Sequence, residues 1–272
     1  MRTGSQAYPG AAVLGVEAAW RTGLGMVRYL GPGRPTDLVL ARRPETVTAD
    51  GRVQAWVIGS GTDAAARTAA DTAALRGLLS DTDPVVVDAG ALDLAAEATA
   101  PRILTPHDRE HARLRSSLGL GHTPDDRAAA ARETAEATGA IVLLKGAVTV
   151  VAAPDGWTTT IESGTPWLAT AGTGDVLAGV IGALVAGAVA REEHTDAASL
   201  AALAASGAWL HGRAGAIAAT TAGAGGSPRS APRSATSSAP SEDEPGTEDG
   251  PITALDLAEA LPQAVAQVLA GG

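Results

Sequence analysis

Ala169-Thr-Ala-Gly-Thr-Gly-Asp-Val-Leu-Ala-Gly179 places Asp175 directly behind a Gly-Thr-Gly turn, and an apolar run rich in Ala and Gly continues to Val189. The pattern reads as a tight turn feeding the N-terminus of a buried helix. Such a terminus carries N–H groups without intrahelical partners and the positive end of the helix dipole, so it suits a phosphate. A carboxylate at its mouth can take a proton from a hydroxyl while the backbone holds the phosphoryl group in transfer. A short glycine motif could equally be no more than a helix cap. The residues around it favour phosphate or nucleotide binding.

Working outward, the chain alternates short apolar strands with helical stretches. Strands are expected at 53–59, 84–88, 102–107 and 140–145, and helices at 8–25, 62–79, 124–138, 172–190 and 197–219. Continuous apolar strands of this kind are buried on both faces, which implies a parallel sheet covered by helices. The strands end on Gly59, Asp88, His107 and Lys145. In open α/β sheets ligands bind beyond the carboxyl ends of the strands, so these four residues should line one edge. After Lys145-Gly146 the pattern becomes an antiparallel hairpin, 148–153 and 157–161, around Pro154-Asp-Gly156.

Composition narrows the function. The 272 residues are 45% hydrophobic, enough for a sizeable core, and the net charge of −10 argues against a nucleic-acid partner. With no cysteine, disulfides and thiolate metal sites are excluded. Residues 1–9 lack the apolar core of a signal peptide, and the apolar runs suit buried helices better than membrane spans, so a cytoplasmic protein is expected. Residues 221–250 are low-complexity Gly, Ser, Pro, Ala and acid, read as a flexible insert in a single domain over 1–272. Thr253 should cap a terminal helix that docks back on the domain.

Each strand-end residue also admits a plainer reading. Lys145, the only lysine, could be a solvated strand end or a nucleotide contact. His107 could cap the next helix or touch a ligand. Asp88 could cap a turn or hold Mg²⁺ through water. The other histidines show no metal-ligand spacing, so no residue is assigned as a metal ligand.

Taken together, Tyr8-Pro-Gly-Ala-Ala12, Ile58-Gly-Ser-Gly61, Val87-Asp-Ala-Gly-Ala-Leu92, Leu104-Thr-Pro-His107, Leu144-Lys-Gly-Ala-Val-Thr149 and Gly172-Thr-Gly-Asp-Val-Leu-Ala-Gly179 resemble the ADP-dependent NAD(P)H-hydrate dehydratases. These lyases belong to the ribokinase-like superfamily. The resemblance implies an α/β fold with a mainly parallel central sheet and helices on both faces. It implies repair of hydrated nicotinamide cofactors: ADP phosphorylates the ring hydroxyl, phosphate leaves, and NADH or NADPH returns. It gives Asp175 the role of general base and Gly172, Thr173 and Gly174 that of stabilising the phosphoryl group. It places Ala12, Gly61, His107 and Asp175 against NADH-hydrate or NADPH-hydrate of the S epimer. Lys145, Gly146, Ala147, Val148, Thr149 and Gly174 would contact the adenine nucleotide, ADP before turnover and AMP after it. Mg²⁺ and a homotetramer are implied as well. The family carries a further strand leading into the Gly-Ser turn, whereas Met1-Arg-Thr-Gly-Ser5 lies almost on that turn. The expectation is that either the start is truncated or this first strand is missing. A ribokinase-like small-molecule kinase, and a nucleotide-binding module without catalysis, remain alternatives.

Overall fold

Six strands, β1 (Trp56–Ile58), β2 (Val85–Val87), β3 (Arg102–Leu104), β4 (Ile141–Leu144), β5 (Thr149–Ala152) and β6 (Thr158–Ile161), form one sheet in that spatial order. The computed structural model describes residues 1–121, 124–193, 196–226 and 249–271. β1 to β4 run parallel, and β5 and β6 return antiparallel as the expected hairpin. The parallel strands are buried residue by residue, as their apolar runs require. Side chains alternate between two cores. Val57, Val86, Ile103, Ile141, Leu143 and Val151 face one layer. Ile58, Val87, Leu104, Val142, Leu144 and Val150 face the other.

The helices in chain order are α1 (Gly10–Arg21), α2 (Gly33–Arg42), α3 (Ala69–Leu79), α4 (Asp108–Ser117) and α5 (Arg127–Thr138), with α6 (Thr173–Ala190), α7 (Ala197–Gly226) and α8 (Ala254–Gly271) following the hairpin. Of these, α1, α6 and α7 cover one face of the sheet, while α3, α4 and α5 cover the other. α6 is long and apolar enough to cross a membrane, yet it is a core helix here, packed on α1 and α7. Its Gly179 lies against the backbone of Gly15 and its Gly182 against Val57, approaches that a side chain would block.

Two departures from the sequence expectations stand out. The stretch 62–79 is not one helix: Asp63 caps a 3₁₀ turn (Ala64–Ala66), and α3 starts afresh where Thr68 and Asp71 form a reciprocal capping box. α7 runs through 221–226, the start of the stretch read as an insert, while 227–248 lies outside the described residues, as do His122 and His194. The flanks of that segment lie side by side, Gly250 N–H donating to Ala219 O (2.8 Å) and Thr220 Oγ1 to Asp249 Oδ1 (3.1 Å). Thr253 caps α8 with Asp256 (2.7 Å), and α8 packs on α7 and α1. At the β1 edge, Arg2 makes a one-residue parallel bridge to Ile58, its N–H on Val57 O (2.9 Å) and its C=O accepting from Gly59 N–H (3.2 Å). Beside that bridge runs a groove lined by Met1, Val27, Val53, Ala55, Val57 and Ala183.

Glu17 anchors α1 to α2. Its fully buried carboxylate accepts from Arg21 (2.6 Å), Arg43 (2.5 Å) and Arg42 (3.3 Å), and Arg42 also reaches Glu259 of α8 (2.8 Å). Burial alone would raise this carboxyl, but the three guanidinium groups outweigh it and hold it at about 2. Its folded value lies below the unfolded one, so its stabilisation is present above the ordinary glutamate range and fades as pH falls toward 2. Glu17→Gln is expected to lower stability at pH 7 by roughly 2–3 kcal/mol, the low end for a broken buried pair because the guanidinium groups reach water. Urea denaturation at pH 7 and again near pH 3 checks this, the gap shrinking at the lower pH.

Candidate active site

Four neighbouring strands deliver one polar residue each to a common point. Asp88, just past β2, is buried, and both its oxygens are engaged. Oδ2 accepts from Ser60 Oγ, just past β1 (2.9 Å). Oδ1 accepts from Thr105 Oγ1, just past β3 (2.8 Å), and from Lys145 Nζ, just past β4 (2.8 Å). Lys145 also faces Glu110 Oε2 at 3.8 Å. Burial alone would lower the Lys145 ammonium, but Asp88 and Glu110 hold it above the ordinary lysine value, so it is a fixed cation.

The Gly-Thr-Gly turn meets this group from the other side. Gly172 has φ +93°, a left-handed conformation that an L side chain resists, and it forms the N-cap of α6. Thr173 Oγ1 turns inward to Leu168 O (2.8 Å) and Thr170 O (2.9 Å), so its hydroxyl braces the turn. His211 of α7 supports the same residue, its Nε2–H donating to Thr173 O (2.9 Å). Burial holds that imidazole down at about 4, hence neutral. Thr173 N–H bends back to Thr170 O and Asp175 N–H to Gly172 O, and no side chain caps the helix. Gly174 N–H is left as a first-turn donor without a partner among the described residues. A Cβ at Gly174 would fall 3.5 Å from Lys145 Nζ, which sets the ammonium at this helix terminus.

Asp175 stands in the first turn of α6 beside these charges. Burial, reinforced by the Asp88 carboxylate and partly offset by Lys145, pushes its carboxyl up to about 7. A carboxylate poised there can accept a proton near neutral pH.

The remaining sequence-predicted residues fall into two groups. Gly61, at φ +64°, packs on Ala11 and the Tyr8 carbonyl, joined to Asp88 through its neighbour Ser60. Ala12 is fully buried against Gly4, so only its backbone is available to a ligand, as part of the uncapped first turn of α1. His107 does cap a helix: Nδ1 accepts from Arg109 N–H (3.1 Å) and Glu110 N–H (3.3 Å), with the ring half-exposed. Its backbone makes an isolated parallel bridge to Lys145, so the cap also stands at the sheet edge. On the far side of Lys145, Gly146, Ala147 and Val148 form an exposed turn into Thr149, whose hydroxyl faces Gly146 O (3.4 Å).

A metal bound through Asp88 does not fit. Its oxygens are taken, and among the described residues no cluster of three or more His, Cys, Asp or Glu could hold an ion.

A sequence profile of NAD(P)H-hydrate dehydratases matches residues 3–236. The chain belongs to this family. The ADP-dependent (S)-NAD(P)H-hydrate dehydratase of Neisseria meningitidis serogroup B is 40% identical over 81% of this chain and 76% of its own length. The bifunctional NAD(P)H-hydrate repair enzyme Nnr of Mycobacterium leprae is 44% identical over 84% of this chain. The chain spans about half of that relative's length, 47%. The ADP/ATP-dependent NAD(P)H-hydrate dehydratase of Bacillus subtilis, crystallised with ATP/Mg²⁺, superposes with TM-score 0.72 and 26% identity, covering 98% of this chain and 88% of that one. The dehydratase fold seen here is ribokinase-like, as the sequence resemblance implied.

Ser60, Thr105 and His211 pack around these groups and were not singled out from the sequence. Hydroxyls recur throughout the chain, and only the fold brings Ser60 and Thr105 onto Asp88. For Ser60 a signal did exist, because it sits inside the Gly-Ser-Gly that ends β1.

Proposed function

We propose that this protein returns the S epimers of NADH-hydrate and NADPH-hydrate to NADH and NADPH, with ADP as phosphoryl donor. The observation that carries the reading is the partly buried Asp175 carboxyl, held near 7 at an uncapped helix N-terminus beside the Lys145 ammonium. Family membership and the names of the relatives support the substrate class, and favour hydrate repair over a small-molecule kinase.

Asp175 takes the proton of the ring hydroxyl as its oxygen attacks the β-phosphorus of ADP, and AMP departs. Gly174 N–H, the α6 dipole and Lys145 stabilise the charge on the phosphoryl oxygens in transfer. The ring-nitrogen lone pair then expels phosphate, a far better leaving group than hydroxide. Loss of a proton from the adjacent ring carbon restores the double bond. Gly61, Ala12 and His107 line the hydrate side, and residues 145–149 the nucleotide side. Mg²⁺ bound with the nucleotide would supply further charge neutralisation. A cytoplasmic, homotetrameric lyase belongs to the same proposal.

The test is direct. Pure, folded protein given hydrated NADH, ADP and Mg²⁺ should restore the reduced-nicotinamide absorbance while AMP and phosphate accumulate in equal amounts. A phosphorylated product that persists would replace this reading with a kinase, and no turnover at all would leave a binding module.

A further inference from the structure

Arg127, the first residue of α5, lays its guanidinium across the turn between β4 and β5. Nη1 donates to Val148 O (2.5 Å) and Nη2 to Lys145 O (2.8 Å), so one side chain ties both ends of the turn. Nη2 and Nε also reach Asp108 Oδ1 (3.0 and 3.3 Å). Asp108 follows His107 directly at the start of α4. A Cβ on Gly146 would fall 2.6 Å from both Nη atoms, so the guanidinium seats there only because residue 146 has no side chain. A planar fork that satisfies two carbonyls and a carboxylate at once is a task for arginine; a lysine ammonium lacks that geometry.

We propose that Arg127 is a positioning residue for the nucleotide: by bracing residues 145–148 against the His107 turn, it sets the backbone that receives the adenine nucleotide. The inference rests on the nucleotide side assigned above to residues 145–149. Arg127 need not touch the ligand. It holds a four-residue turn that has few other restraints, the Thr149 hydroxyl contact to Gly146 O being long at 3.4 Å. Preordering that turn lowers the entropy lost on binding and should therefore act on nucleotide affinity and not on the chemical step.

Arg127→Gln should raise KM for ADP about tenfold, the scale of one charge-assisted hydrogen bond, while kcat at saturating ADP and KM for the hydrate stay within about threefold. Arg127→Lys should recover part of the loss. Gly146→Ala, which leaves the arginine in the chain but displaces its guanidinium, should show the same signature. Combining it with Arg127→Gln should add little, because both changes remove one interaction. In the protein without nucleotide, amide exchange at 146–148 should quicken in Arg127→Gln and not elsewhere in the sheet. If Arg127→Gln binds and turns over ADP like the parent, the inference falls and the nucleotide assignment stands. If the parent itself does not bind ADP, both fall. A uniform loss in kcat and in both KM values, with a lowered melting temperature, would make Arg127 a structural residue and overturn its positioning role.

Discussion

Asp175→Asn is expected to lower kcat for hydrate dehydration by about 10³-fold, while the dissociation constant for ADP stays within about threefold. Asparagine keeps the shape of the side chain and removes its ability to take a proton. The N–H groups of the α6 turn and the Lys145 ammonium remain where they are, so nucleotide affinity has no reason to collapse. Stopped-flow absorbance for the reaction and calorimetry for ADP separate the two quantities. Loss of ADP binding together with activity would show a folding defect, and full activity would remove Asp175 from the mechanism.

The same residue predicts a pH profile. In the proposed mechanism the ionised carboxylate is the active form, and its folded value lies at about 7, so kcat/KM should rise with pH through a midpoint near 7 and then level. A carboxyl of ordinary value would give no such limb in this range. The stability consequence runs the other way. A folded value raised above the unfolded one means that the native state holds the proton more tightly, so this group's contribution is fully present below the unfolded value of 3.8 and is lost progressively as pH rises to about 7. Asp175→Asn should therefore melt at a higher temperature than the parent at pH 8, by less at pH 5, and at nearly the same temperature only below about pH 4. Gained stability with lost activity is the behaviour of a group whose burial serves chemistry.

Much of this site was legible in the sequence because the parallel sheet leaves little freedom. Once 84–88, 102–107 and 140–145 are read as strands buried on both faces, Asp88, His107 and Lys145 must emerge at one edge, and they do. Their partners were not legible. The Lys145–Asp88 ion pair spans residues far apart in the chain, and nothing local announces that both Asp88 oxygens will be filled. α2 was missed altogether, because Gly33 and Pro35 at its start mask a short and largely exposed helix. The break before α3 was readable in principle, since Thr68 and Asp71 stand at capping-box spacing. His107 caps α4 and still stands at the sheet edge: its ring nitrogen holds the start of the helix while its backbone bridges to Lys145.

Lys145→Met should lower kcat/KM for ADP by about 10²–10³-fold and should also weaken the fold, and the two effects can be pulled apart. Removing the ammonium leaves the buried Asp88 carboxylate with only the Ser60 and Thr105 hydroxyls, an uncompensated charge expected to be destabilising by roughly 3–5 kcal/mol. It also takes away the one cation that lowers the Asp175 carboxyl, so the midpoint of the remaining pH profile should move above 7. Asp88→Asn combined with Lys145→Met removes both charges of the pair. That double variant should recover most of the lost stability, because no unpaired charge is left inside, and the Asp175 midpoint should drift back as the Asp88 repulsion disappears. Its turnover should stay low, since no cation stands at the α6 terminus to meet the phosphoryl oxygens. A double variant that regained both stability and turnover would reduce Lys145 to a structural partner of Asp88 and leave Gly174 N–H and the α6 dipole to stabilise the transferring phosphoryl group alone.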